Sequence, residues 1–409
     1  MKVLFLCGVF GQSVEEELIG TTKKPIEYSA NIFQKKMIAG FRATDLELEI
    51  ISAPFIGSFP NTTSLRYFHS KKYKDGDYRY VSFNNLWGIR NISRANRLKS
   101  AVETFARTEA GEKLIVVYSP HTPFLEAAVH AKKIDPSIRI CMVVPDLPQY
   151  MNLNARISVV YKVAKKFDIA RFNRLNRYVD SYMLLTEEMK NKLAVGRKPY
   201  LVVEGIIDND LCLAKMVDKD VRDAQVRERR IVYTGKTNEK FGVKKLVDAF
   251  GLIDSKDYRL IICGTGDSDR YIREKAIMDP RIEIKGQVTP SVASTYVSNA
   301  DVLVNPRPND EEYTKYSFPS KNIEYLISGN PVVAYMLDGI PTVYRDFLYI
   351  PRDDSTEELK NCILAAAEAQ ELEIKSRRND AADYLKMRTA ENIACRIVDM
   401  NLKGECLLL

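Results

Sequence analysis

Histidine and tryptophan are scarce in this chain of 409 residues, with three histidines and one tryptophan, Trp87. So few histidines exclude a His-rich metal centre. The seven cysteines stand far apart, at 7, 141, 212, 263, 362, 395 and 406, and no pair has CxxC spacing. An odd, scattered set reads as reduced thiols, which excludes a disulfide framework and a zinc ribbon. No apolar run approaches the ~20 residues needed to span a bilayer. Internal repeats and low-complexity stretches are also missing. Hydrophobic residues make up 45% and charged residues 28%, which excludes a disordered or fibrous chain. The net charge of +7 is too diffuse for a nucleic-acid coat, and the basic residues lack interleaved aromatics at a defined motif. A length of 409 residues fits two to three domains at about 150 residues each.

What is present is an alternation of short apolar runs with helical patterns. Val3-Leu4-Phe5-Leu6-Cys7 reads as a buried first strand rather than a signal peptide, because Met1-Lys2 carries one positive charge and no cleavage site follows. Further strands are expected at 46–51, 114–118, 140–144, 182–185 and 200–203, with helices at 26–41, 93–107, 123–133 and 187–193. Residues 55–91 collect Gly, Pro, Asn and Tyr and read as loops with short strands. After Asp208 a charged stretch, Lys215 to Arg230, marks a linker. A second series then opens with strands at 231–233, 260–263, 282–285, 302–304 and 331–334 and helices at 243–250, 270–276, 292–298 and 321–328. Helices at 357–368 and 390–402 close the chain. Continuous apolar strands alternating with helices require parallel sheets covered on both faces. The expectation is α/β, with two Rossmann-like doubly wound domains: 1–208 joined by the C-terminal helix 390–409, and 209–389.

Open sheets of this kind bind ligands outside the carboxyl ends of their strands, so the loops there carry the chemistry. Tyr233-Thr234-Gly235-Lys236-Thr237-Asn238-Glu239-Lys240 precedes a helix. Gly235 permits close backbone approach, and Lys236 and Lys240 add to the positive end of the helix dipole, a combination suited to a diphosphate. A solvated turn with two surface lysines explains the string equally well. Cys263-Gly264-Thr265-Gly266 lacks the last glycine of a dinucleotide fingerprint and reads as a tight turn. Asn305-Pro306-Arg307 follows a strand, and Pro319-Ser320 starts a helix whose first N–H groups, near Ser320, Lys321 and Asn322, face an anion. Glu324, one turn in, has the two acceptor oxygens that a vicinal diol such as ribose needs. Asp267-Ser268-Asp269 spells D-x-D, but it opens a helix, where aspartates are favoured; metal independence is expected.

Together these stretches resemble the GT-B glycosyltransferases of family 4, the bacterial exopolysaccharide and capsule subgroup above all. Tyr233 to Phe250, Leu260 to Gly266, Arg281 to Gly286 and Ala300 to Val333 carry the likeness. It is looser in the first half, at the opening strand, Ser119-Pro120-His121, Asp146-Leu147-Pro148 and Val203 to Asp208. The resemblance implies two domains facing across a cleft and a retaining transfer from a nucleotide sugar, UDP-sugar before GDP-sugar, without a cofactor. It implies that Lys236 and Lys240, with Gly235 and Gly11, hold the donor diphosphate. Ser320, Lys321, Tyr316 and Arg307 would meet the donor sugar and phosphates, and Glu324 the ribose. The family's E-x7-E motif departs here: eight residues before Glu324 stands Tyr316. Glu311 or Glu312 reaching in, or Tyr316 and Lys321 in its place, are the alternatives. A nucleotide-sugar epimerase and an inactive binding subunit are the rival readings.

In the first half, His121 and Asp146 follow strands at their carboxyl ends. They are the catalytic candidates, against a polar cap and a turn former. From Arg156 to Arg177 seven basic residues oppose one acid, Asp168, and Ile157, Val160, Val163, Ala164 and Phe167 recur at helical spacing. Such a helix suits anionic headgroups, with Lys162, Lys165 and Lys166 facing the membrane. The expected setting is cytoplasmic, peripheral at the inner face of a bacterial plasma membrane. The acceptor that the resemblance implies is a saccharide linked to a polyprenyl diphosphate.

Overall fold

Runs of β-branched and other large apolar residues form the buried strands of two parallel sheets. The computed structural model describes residues 1–23, 26, 28–109, 111–147, 159–208 and 228–404, with the backbone alone at 159–164. The expected linker from Lys215 lies outside the described residues as far as 227.

The first unit comprises Met1–Asp208 and Arg388–Leu409. Its strands are β1 (Lys2–Cys7), β2 (Glu47–Ser52), β3 (Tyr67–Phe68), β4 (Tyr78–Tyr80), β5 (Phe83–Asn84), β6 (Lys113–Tyr118), β7 (Arg139–Val144), β8 (Ser181–Leu184) and β9 (Tyr200–Val202). Seven of them form one sheet in the order β4-β2-β1-β6-β7-β8-β9, parallel throughout. β3 and β5 pair separately within 55–91, where short strands were expected. All six residues of β6 are buried, as a central strand covered on both faces requires.

The helix Ala390–Lys403 packs into this unit's core through Ile393, Ala394, Ile397 and Met400, beside Phe5, Met37 and Phe41. Gly40 is required at that approach, since a Cβ there would lie 2.0 Å from the Ala390 carbonyl oxygen. Arg388 and Glu204, both buried, pair Nε to Oε1 at 2.8 Å and fix the entry of the final helix.

The second unit, Asn209–Met387, holds β10 (Arg229–Thr234), β11 (Tyr258–Cys263), β12 (Ile282–Gly286), β13 (Val302–Asn305) and β14 (Val332–Ala334). Their order is β12-β11-β10-β13-β14, again parallel. Chain direction across the sheet reverses between β1 and β6 in the first unit and between β10 and β13 in the second. These are the switch points at which a crevice opens outside the carboxyl ends.

Two helices escaped the sequence reading. Gln12–Thr21 buries only Val14 and Leu18. Glu371–Lys386 is largely charged and buries Ala381, Ala382, Leu385 and Arg378. Neither has the wide apolar stripe that announces a helix. The helix expected at 187–193 contracts to Met189–Lys192.

Candidate functional site

Three loops converge at the switch point of the second unit. Gly264, after β11, has φ +143°, and a Cβ there would stand 1.7 Å from the Gly235 carbonyl oxygen. Gly242 has φ +74° and opens the helix Val243–Gly251; its Cβ would stand 1.9 Å from the Pro306 carbonyl oxygen. Only glycine allows both approaches. The loops after β10 and β11 are tied further by carboxylates. Asp267 accepts from the Glu239 N–H at 2.8 Å and from Asn238 Nδ2 at 2.9 Å, and these bonds hold its carboxyl below the usual range. Asp269 accepts from the Gly266 N–H at 2.9 Å and from the Thr237 hydroxyl. Both aspartates of the D-x-D string are therefore loop ties. Among the described residues no cluster of three or more His, Cys, Asp or Glu could hold a metal ion.

The helix Ser320–Ile327 starts at Pro319 without a side-chain cap, leaving the N–H groups of Ser320 and Lys321 to a ligand, whereas that of Asn322, also expected to face an anion, donates to the Pro319 carbonyl at 2.9 Å. Tyr325, fully buried, anchors it: its hydroxyl accepts the Thr234 N–H at 2.8 Å and lies 3.2 Å from the Thr234 carbonyl, at the end of β10. Asn322, also fully buried, accepts from Asn305 Nδ2 at 2.6 Å, joining the helix to the end of β13. Asn322 Nδ2 and Arg307 Nε are buried without a partner. The Arg307 guanidinium lies 5.0 Å from the Tyr313 ring and 5.8 Å from the Phe241 ring, and 3.3 Å from the Ser317 hydroxyl. Lys240 Nζ stands 5.3 Å from the same Phe241 ring. Lys236 and Lys240 are exposed, and neither has an acidic partner among the described residues.

The sequence thus named Gly235, Lys236, Lys240, Arg307, Ser320, Lys321 and Glu324, and the fold brings their segments to one end of one sheet. Two features differ from expectation. Lys321 Nζ pairs with Glu324 Oε2 at 2.5 Å, so each neutralises the other where separate roles were expected. Tyr316, standing where the family motif has its first glutamate, is buried in a short 3-10 turn, Glu312–Tyr316, while Glu311 and Glu312 are exposed. Sequence reasoning missed the side-chain roles of Tyr325, Asn322 and Asn305. Their signal was an Asn-Pro pair closing a buried strand and polar residues inside an amphipathic helix.

The first unit corrects one assignment. Gly11 was expected to expose its backbone to a diphosphate. Its N–H instead donates to Tyr80 Oη at 3.0 Å, and a Cβ there would meet Asp75 Cγ at 2.3 Å. Asp75 caps the helix Gln12–Thr21 by accepting from the Ser13 N–H at 2.9 Å and the Ser13 hydroxyl at 2.7 Å. A carboxylate already occupies the anion position of that helix terminus.

His121 opens the helix Thr122–Ile134 after β6, with its ring 5.7 Å from Phe55 and 5.0 Å from Phe124. Burial, aided by Arg94 and Arg90, pushes its pKa well below the ordinary imidazole value, so the ring is neutral at pH 7. Its Nδ1 has no partner. Asp146, after β7, reaches solvent, yet the crowding protein pushes its carboxyl up to about 6. That is the range of a general base.

Of the basic stretch, 156–158 and the side chains of 159–164, Lys162 among them, lie outside the described residues. Lys166 is exposed and Lys165 half-buried. Phe167, placed on the apolar face by its spacing, is 73% exposed instead; among the described side chains of the helix Val159–Asn176, Phe172 and Asn176 are the buried ones. No described helix is long and apolar enough to cross a membrane.

Comparison with known proteins bears on the second unit first. Residues 228–369 match the family described as Glycosyl transferases group 1. The chain is 23% identical over 190 residues to a putative teichuronic acid biosynthesis glycosyltransferase, TuaH, of Bacillus subtilis. That match covers 46% of this chain and 47% of TuaH, about half the length of the relative. Among solved structures, Anabaena HepE in complex with UDP has TM-score 0.60 at 13% identity, covering 98% of this chain and 100% of HepE. A Staphylococcus aureus TarM mutant with UDP has TM-score 0.60 at 10% identity, covering 98% and 99%. The lipopolysaccharide outer core galactosyltransferase WaaB has TM-score 0.56 at 14% identity, covering 98% and 99%. The fold is GT-B, with two parallel-sheet α/β units.

Proposed function

We propose that this chain is a glycosyltransferase that moves a sugar from a UDP-sugar to a saccharide acceptor in polysaccharide assembly, with the anomeric configuration retained. One observation carries the reading. At the switch point of the second unit an uncapped helix N-terminus, Lys236, Lys240 and Arg307 gather with Glu324 one turn in. Transfer builds negative charge on the leaving diphosphate, and fixed positive groups in place beforehand stabilise that charge. Lys236, Lys240 and Arg307 take this role, joined by the N–H groups of Ser320 and Lys321. Glu324 binds the ribose hydroxyls, exchanging its ion pair with Lys321 for them, and Lys321 is then released toward the phosphates. Because Asp267 and Asp269 already serve the loops, the reading needs no metal. The match to group 1 glycosyl transferases and the GT-B structures holding UDP support it.

The acceptor belongs to the first unit, where Asp146 takes the proton of the attacking hydroxyl and neutral His121 positions the sugar. A saccharide on a polyprenyl diphosphate at the inner face of the plasma membrane fits the basic helix Val159–Asn176. Exposed Trp87, Ile89 and Ile92, at the start of the helix Arg90–Arg107, supply an apolar contact to the same surface. Labelled UDP-sugars incubated with a polyprenyl-diphosphate saccharide in EDTA test this reading. Label in the lipid, with retained anomeric configuration by NMR, is expected. A second reading, a nucleotide-sugar-binding subunit without transfer, is favoured by the burial of Tyr316 at the position of the missing glutamate. UDP-sugar binding with no transfer to any acceptor would select it, and an epimerised free donor would select neither.

A further inference from the structure

A second cluster of positive charge lies in the first unit, away from the switch point. The helices Arg90–Arg107, Thr122–Ile134 and Val159–Asn176, with the residues just after the last, line a pocket of about 380 Å3. Apart from Glu126, in the second turn of its helix, the contributing residues of the second and third helices come from their later turns. In a βα unit the helix starts at the carboxyl end of the strand and returns toward the amino end, so this pocket lies toward the end opposite the ligand crevice. The pairing of Lys113, at the start of β6, with Asp135, just past the second helix, at 2.9 Å agrees with that placement.

Five cations line the pocket, Lys99, Lys133, Arg171, Arg174 and Arg177, against one carboxylate, Glu126. The Glu126 side chain is 5% exposed, and its charge is taken by Lys99 at 3.2 Å and by Arg171. His130 is turned to Glu103 at 3.1 Å. Lys133, Arg174 and Arg177 have no acidic partner among the described residues. Lys133 and Arg177 stand 6.0 and 5.8 Å from the Tyr178 ring centroid. Three uncompensated cations around one cavity repel one another, and a bound anion relieves that repulsion. Guanidinium forks match phosphate oxygens two at a time, whereas a single carboxylate ligand would leave most of these donors unused.

We propose that this pocket binds a phosphate-class anion through Lys133, Arg174 and Arg177, at a site separate from the donor loops. Two sources offer that chemistry, a phospholipid headgroup and a free phosphate compound. The inference does not depend on the transferase reading. Calorimetry with inorganic pyrophosphate and flotation with phosphatidylglycerol vesicles test it on the full chain. The variants are Lys133→Gln/Arg174→Gln and, as the control for the donor loops, Lys236→Ala/Lys240→Ala. All four side chains are exposed, so both variants should fold; Arg174→Gln alone serves if the first does not. The expected result is a pyrophosphate site kept in the control and weakened tenfold or more in Lys133→Gln/Arg174→Gln, which marks a free phosphate compound as sufficient. Loss of flotation alone in that variant supports the site with the lipid headgroup as its source. Unchanged pyrophosphate and vesicle binding in that variant overturns the proposal, whatever UDP does.

Discussion

The hydroxyl of Tyr325 accepts the Thr234 N–H at 2.8 Å, fastening the helix Ser320–Ile327 to the end of β10. The open N-terminus of that helix and the lysine loop after β10 are thereby held in one fixed relation. Removing the hydroxyl leaves a buried N–H unpaired, which costs about 1–3 kcal/mol. Tyr325→Phe should lower the unfolding free energy by that amount, read as a fall in the urea midpoint at unchanged slope, and weaken UDP binding as well. Unchanged UDP affinity would show that the helix and the loop do not act together.

Gly264→Ala tests the junction between the loops after β10 and β11. Its φ of +143° and the 1.7 Å approach of a Cβ to the Gly235 carbonyl leave no relaxed position for the methyl group. A loss of about 2 kcal/mol or more is expected. Thermal unfolding measures it, and a variant as stable as wild type would refute the close approach.

Asp75 predicts an acid-dependent loss in the first unit. Partial burial raises its carboxyl, but the Ser13 and Tyr80 hydrogen bonds outweigh this and hold it below the usual carboxylate range. A depressed carboxyl contributes stability that is present above the unfolded value, about 3.9, and is lost as pH falls through the folded value. Asp75→Ala should destabilise at pH 7 by about 2–3 kcal/mol, through loss of the helix cap and of a partner for Tyr80. The gap should narrow in acid. Equal gaps at pH 7 and at pH 3 would contradict the assignment.

Asp146 sets the pH profile of transfer under the proposed mechanism. With its carboxyl pushed up to about 6, it is ionised and able to accept a proton above that pH, and protonated below it. The rate should fall as pH drops through about 6. Asp146→Asn should lose most activity and the acid limb with it. An acid limb that persists in the variant would assign it to another group.

The sheets were legible in the sequence because their strands are continuous apolar runs, such as Leu114 to Tyr118, that no exposed element would tolerate. The lysine loop and the helix at Ser320 stood out through their likeness to family 4 glycosyltransferases, since the residues of the loop alone left a solvated turn as an equal reading. The pairing of Lys321 with Glu324 could be anticipated from their i,i+3 spacing, yet the two were assigned separate roles. Gly11 misled because its close neighbour, Asp75, is 64 residues away and nothing local announces it. Phe167 misled because spacing alone does not say which apolar residues of a basic helix meet the core; Phe172 does so instead.

The central claim is that the lysine loop and the open helix end bind a nucleoside diphosphate. Calorimetric titration of UDP into wild type and Lys236→Ala/Lys240→Ala tests it most directly. Micromolar binding corresponds to about −8 kcal/mol, and loss of two charge-assisted contacts should cost roughly 3 kcal/mol or more. The account predicts UDP binding by wild type and weakening of about a hundredfold or more in the variant. Equal UDP affinity in the two proteins, or no binding by wild type, would contradict it.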